Sequence, residues 1–279
     1  MKFGITMFPA DFAMNPVALA RAVEERGFES LLLPEHTHMP IDRRSVSPTG
    51  REVTEEYWHT IDPFVSLGAA AAVTTNLKLG TGICLVIERD PIVLAKEVAS
   101  LDFISNGRFL FGIGGGWNEE EMANHGTDPR TRFALMRDQI AAMKAIWTQD
   151  EAEYHGRFVD FDPIWSWPKP VQKPHPPIMI GGGGPNIFKR IVGYGDGWLA
   201  RAPDFTPESN AELQRMAEEA GRQRIPVAVF GVTPTAELTE SYVAEGVDRC
   251  ILRVPPVAEA EALRVLDEHA EFVGRLAAV

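Results

Sequence analysis

The chain has 279 residues, 45% hydrophobic and 24% charged, with a net charge of −12; this is an ordinary globular composition. The acidity argues against a nucleic-acid or anionic-membrane partner, and no apolar run approaches the ~20 residues of a membrane span. Cys84 and Cys250, far apart in apolar runs, read as reduced core thiols of a cytoplasmic protein.

Residues 2–8 form a β-like run, with no signal peptide expected ahead of it. A helix follows over 15–27, with Asn15 as N-cap, Pro16 at the first helical position and Gly27 as the stop. The apolar run within 30–35 suits a buried parallel strand. Residues 36–60 are polar and aperiodic, and a loop of that length in a compact domain is usually functional or a lid. An alanine-rich helix spans 62–76, a strand 78–87, and Asp90-Pro91 opens another helix. The strand over 108–116 then stops in three glycines before an acidic helical piece over 118–125. In the longer helical piece beyond it, Phe133, Met136, Ile140, Met143 and Trp147 recur at spacings of three and four, the pattern of a buried face. Residues 150–176, with Trp165, Trp167 and five prolines, read as a surface excursion. Strand patterns over 177–184, 197–202, 227–231 and 249–254 alternate with helical ones to the C-terminus.

Eight strand runs, each followed by a helical run, imply a parallel sheet with helices outside. Eight such units in ~250 residues imply an α/β fold of the closed (β/α)8 (TIM) barrel type. It is expected to form a single domain over 1–279, with excursions at 36–60 and 150–176. An open doubly wound sheet is the alternative, but it needs fewer units.

The site of such a barrel lies at the C-terminal ends of its strands. There the second strand ends in Glu35-His36-Thr37-His38, the third carries Thr81-Gly82-Ile83-Cys84, and the fourth ends in Gly114-Gly115-Gly116-Trp117. The fifth ends in Gly181, Gly182, Gly183 and Gly184, the sixth in Arg201 and the eighth in Arg253. Glycine-ended strands bring bare backbone N–H groups to a helix start, where an anion or the polar edge of a planar cofactor can sit. A tight turn needing positive φ is the plainer reading. The mouth offers no nucleophile–base pair and no strand-end lysine, so Schiff-base and Ser/His/Asp chemistry are poorly supported. It suits a planar cofactor that carries the chemistry itself. His36 reads as a pocket acid or hydrogen-bond donor. A metal pair of His36 with His38 lacks a third ligand from another strand end, so no metal is expected. Trp117 either packs or walls the slot. Glu119, Glu120 and Glu121 read as complementing a helix dipole.

These residues carry a resemblance. Pro34-Glu35-His36, Asp62-Pro63-Phe64, Leu79-Gly80-Thr81-Gly82, Asp90-Pro91 with Ala95-Lys96, Gly112-Ile113-Gly114-Gly115-Gly116-Trp117, Pro168-Lys169-Pro170-Val171-Gln172 and Gly195-Asp196-Gly197-Trp198 stand in an order that resembles the bacterial luciferase-like monooxygenase superfamily. Within it they are similar to the coenzyme F420 (deazaflavin)-dependent oxidoreductases. The resemblance implies a barrel holding a flavin or deazaflavin at its mouth, an acid–histidine pair at Glu35-His36, a non-proline cis peptide at Gly82-Ile83 and a homodimer. Many deazaflavin relatives carry a glutamate just past the strand-four glycines; here Trp117 stands there. The expected function is hydride transfer between F420 and a small organic substrate. An FMN-dependent monooxygenase using reduced flavin and O2 is the alternative, and a non-catalytic flavin-binding homologue is the alternative from another class. Arg43, Arg44, Arg51, Arg89 and Arg201, placed around the mouth, are expected to meet the acidic tail of F420.

Overall fold

The structure is a computed structural model and describes residues 1–47, 50 and 52–277. Strands β1 (Lys2–Thr6), β2 (Ser30–Leu33), β3 (Lys78–Thr81), its short continuation β4 (Cys84–Leu85) and β5 (Phe109–Gly114) come first. The hairpin strands β6 (Ala152–His155) and β7 (Asp160–Ile164) precede β8 (Ile178–Gly181), β9 (Gly197–Arg201), β10 (Val227–Val232) and β11 (Arg249–Arg253). Parallel pairing runs β3-β2-β1-β11-β10-β9-β8-β5 and returns from β5 to β3, which closes an eight-stranded (β/α)8 barrel. Lys2 stands opposite Arg249 where the first strand meets the last.

Helices α1 (Pro16–Glu25), α2 (Pro63–Val73), α3 (Pro91–Ile104), α4 (Glu119–Asn124), α5 (Arg132–Thr148), α6 (Ile187–Tyr194), α7 (Pro207–Glu219), α8 (Ala236–Ala244) and α9 (Glu259–Ala277) surround it. Four start the same way, α7 among them. Asn15, Asp62, Asp90 and Thr206 each cap with a side-chain oxygen that accepts backbone N–H groups of the first turn, and a proline follows directly. Proline has no N–H to leave unpaired there and presets the helical φ.

Strand side chains alternate between two cores. The outward ones, such as Leu31, Leu33, Phe109, Phe111, Cys250 and Leu252, pack under the helices. The inward Leu32, Leu110, Met179, Leu199, Ala228 and Ile251 fill the barrel. Inside 150–176 the chain is more ordered than expected: β6 and β7 pair antiparallel, and the Asp138 carboxylate on α5 accepts N–H bonds from Phe158 and Val159 at 2.6 and 3.0 Å. On α5, Met136, Ile140, Met143 and Trp147 are buried, but Phe133 is exposed and lies toward the mouth.

Candidate active site at the barrel mouth

Above the inner apolar layer, the inward positions of the barrel differ from one side to the other. On the strands β3, β5 and β8 they are Gly82, Gly114 and Gly181; on β9, β10 and β11 they are Arg201, Phe230 and Arg253. The Gly82–Ile83 peptide is cis. The Ile83 side chain fills the room its neighbours leave: a Cβ at Gly114 would stand 2.3 Å from Ile83 Cδ1, and one at Gly181 2.5 Å from Cγ2. A Cβ at Gly82 would meet the Phe230 ring at 2.5 Å. Bare backbone is therefore required on three adjacent strands to leave room for the Ile83 side chain and the Phe230 ring, which together make an apolar shelf suited to one face of a planar ring.

The remaining glycines divide by what they touch. A Cβ at Gly115 would strike Phe133 at 2.7 Å, one at Gly116 Met122 at 2.9 Å, and one at Gly183 Asp204 at 2.6 Å. Gly182 and Gly184, at φ +97 and +89, have nothing within 4 Å of an added Cβ. Their conformation favours glycine; the Gly182 N–H is donated to the Leu199 carbonyl at 3.2 Å, while the open side of Gly184 leaves its N–H approachable.

Beside this shelf, past the end of the neighbouring strand β2, stands His36. Its Nδ1 lies 2.7 Å from Glu121 Oε2, and the other oxygen of that carboxylate accepts the Thr37 N–H at 3.0 Å. The Asn118 side chain accepts the N–H of Glu121, which fixes α4 at its first turn. A carboxylate at Nδ1 favours the tautomer with its proton there and leaves Nε2 as the working nitrogen. The His36 ring is walled by Tyr57 at 5.1 Å and Trp117 at 5.7 Å, and Phe8 backs Tyr57 at 4.8 Å. The arrangement is an oriented proton donor or acceptor in an aromatic pocket.

The structure places Glu35, Arg89 and Cys84 otherwise than expected. Glu35 does not pair with His36, because successive residues of an extended segment face opposite ways. The Glu35 carboxylate accepts from Leu85 N–H at 2.6 Å and Arg89 Nε at 2.8 Å, and Arg89 also bonds Asp62 and Glu97. These contacts tie the end of β2 to α2 and α3, so Arg89 is spent on the scaffold. Cys84 faces outward into the helix layer, fully buried, and burial pushes its thiol well above the ordinary value; it does not line the mouth. His38 turns away from His36: its Nδ1 meets Thr37 Oγ1 at 2.9 Å and its Nε2 meets the Asn124 amide at 2.9 Å. Arg201 stands at the mouth as expected and donates to both oxygens of Asp204 at 2.6 and 2.8 Å. Arg51 lies outside the described residues.

Sequence reasoning missed Glu121, Tyr57 and Glu88. Glu121 looked like its two neighbours, but consecutive helical residues point ~100° apart, so one of three glutamates had to face the barrel. Glu88 is buried beneath the glycine turn, its Oε2 3.8 Å from His125 Nε2 and without a hydrogen bond. Burial first, then the charges of Glu121 and Glu35, push its carboxyl up to about 9.

Over residues 10–277 the sequence matches the family described as luciferase-like monooxygenase. An uncharacterized protein of Mycobacterium tuberculosis is 39% identical over 284 residues, covering 100% of this chain and 98% of its own length. Among solved structures, the fold is similar to monooxygenase RslO1 from Streptomyces bottropensis, with a TM-score of 0.77 and 21% identity over 97% of this chain and 98% of that one. It is also similar to the coenzyme F420-dependent tetrahydromethanopterin reductase from Methanopyrus kandleri, with a TM-score of 0.74 and 18% identity over 96% and 97%.

Proposed function

The chain belongs to the luciferase-like monooxygenase family, and we propose that it is an oxidoreductase that moves a hydride between coenzyme F420 and a small organic substrate. The two solved relatives divide between a monooxygenase and an F420-dependent reductase, and at their low identity they bear on the barrel alone. The reading rests instead on His36, held by Glu121 at 2.7 Å at the mouth, past the strand that neighbours β3 of the glycine shelf. Adding or removing a hydride at a carbon–oxygen centre requires a proton to arrive at, or leave, the oxygen, and a fixed imidazole supplies that service.

The residues fit such a cofactor. Ile83 on the cis Gly82–Ile83 turn, Gly114 and Gly181 would carry one face of its ring, and Gly184 would offer its N–H to the phosphate. When bound, the deazaflavin supplies or accepts the hydride. His36 Nε2 then gives a proton to the substrate oxygen or takes one from it. Glu121 keeps Nδ1 protonated and stabilises the imidazolium, as the buried acid of a catalytic triad does. Tyr57 and Trp117 keep water from the reacting centre.

One observation favours FMN with O2 instead. Arg89 is bound by three carboxylates and Arg201 by Asp204, so fewer cations face outward for an acidic tail, and one phosphate asks for fewer. Parallel titrations with F420 and FMN, followed by tryptophan quenching, separate the two. F420 binding that weakens with salt supports the proposal; FMN binding without F420 binding reverses the cofactor. His36→Ala should lower turnover ~10²-fold or more while cofactor affinity stays the same. Unchanged turnover would make His36 a wall residue.

A further inference from the structure

We propose that Arg253 anchors the carboxylate of an anionic organic substrate in front of His36. This rests on the reading of His36 as the proton-handling group and adds a substrate class to it. Arg253 is the last residue of β11, two positions after the inward-facing Ile251, so it stands on the inner face at the mouth. The register places it beside Thr6 of β1, the strand that pairs with β2.

Arg253 differs from the other mouth arginines in its partners. Arg89 is shared by Glu35, Asp62 and Glu97, and Arg201 is gripped by Asp204 through two nitrogens. Arg253 has Glu56 at 4.0 Å, a charge contact beyond hydrogen-bonding reach, and its side chain is 54% exposed. A planar fork of donors on an inward position, half open to solvent, is the geometry that takes a carboxylate through two parallel bonds.

The neighbours give the ligand a direction. Glu56 precedes Tyr57 in one short 3₁₀ turn, and Arg253 is close enough to act electrostatically on the Tyr57 phenol. The Tyr57 ring in turn lies 5.1 Å from the His36 ring. A small molecule with its carboxylate on Arg253 would cross Tyr57 and bring its far end to His36, beside the glycine shelf. A single guanidinium with Glu56 behind it suits a monoanion, since a dianionic phosphate would meet stronger repulsion from Glu56.

The test uses the whole protein and pairs of probes alike in shape: benzoate against benzamide, phenylacetate against phenylacetamide and hexanoate against hexanamide. Binding is followed by tryptophan fluorescence with and without the bound cofactor. The wild type should prefer at least one acid over its amide by roughly tenfold, the equivalent of one charge-assisted hydrogen bond. Arg253→Gln should abolish the preference and Arg253→Lys should keep part of it. Glu56→Gln removes the resident competing anion and should tighten the acid several-fold. Titration with F420 and FMN should give the same affinities in Arg253→Gln as in the wild type. Equal binding of every acid and its amide by the wild type would overturn the proposal, as would a preference that survives in Arg253→Gln. Weakened F420 binding in that variant would also overturn it and assign Arg253 to the cofactor tail. If neither cofactor binds while the acid preference stands, the hydride-transfer reading fails and the carboxylate site remains.

Discussion

At the scale of single residues, the mouth separates groups that hold the barrel from groups placed to do chemistry. Glu35 and His36 are neighbours in sequence, yet one is locked to Arg89 and the other is aimed at the pocket. Glu88 belongs to neither set. It is buried with Oε2 unpaired, and its carboxyl is raised from 4.5 to about 9. A carboxyl raised on folding binds a proton that the unfolded chain releases at neutral pH. Its contribution to stability is therefore complete below about 4.5 and is lost as pH rises through about 9. Glu88→Gln cannot ionise and should flatten that decline. Melting curves at pH 6 and pH 9 should show the variant losing fewer degrees than the wild type, a difference of a few degrees at this chain length. Parallel losses would mean that Glu88 titrates as an ordinary glutamate in the folded protein.

At the scale of elements, α4 couples the pocket to the long loop after β2. Glu121 on its inner side holds His36, while Glu120 accepts the N–H of Arg44 at 2.8 Å and of Ser45 at 3.4 Å. Ser45 Oγ in return accepts the N–H of Glu119 at 3.0 Å. These bonds, first among them the one from the Ser45 hydroxyl, hold the Glu120 carboxyl down at about 2. Glu120→Ala should release the loop. Amide exchange across residues 41–47 should speed up at neutral pH, while β5 and α5 stay protected. Unchanged exchange in the loop would show that other contacts fix it. In the sequence, the barrel was legible because its signals are local: Asn15, Asp62 and Asp90 sit before prolines, apolar runs recur at regular distances, and glycines end strands β5 and β8. His36 was legible because it ends a strand. The β6–β7 hairpin was not, since each short strand turns only two side chains inward and Pro163 interrupts β7. Nor were Glu121, Tyr57 and Arg253 readable as parts of one site, because their meeting depends on where α4, the loop and the last strand close over the mouth.

At the scale of the whole molecule, α2 and α3 leave one side of the barrel apolar. α2 has no ionisable side chain and is hydrophobic around its whole circumference, a pattern that belongs to a covered helix. Yet Val65 on α2 and Val93, Phe103 and Ile104 on α3 are exposed. Between them α2 presents Gly68, where an added Cβ would meet nothing within 4 Å. Small residues beside large ones on a single face can interlock with the same face of a second copy related by a two-fold axis, the homodimer expected from the sequence. A stable interface of this kind covers about 800 Å² on each partner, which two adjacent helices can supply. Sedimentation of the purified protein at micromolar concentration should show a species of two chains. Val65→Glu with Phe103→Glu places charges in the middle of the face without touching either core. The double variant should sediment as one chain, with an unchanged far-ultraviolet spectrum and cofactor titration. A wild type that sediments as one chain at every concentration would end the two-fold argument. A double variant that stays paired would move the interface to another face of the barrel.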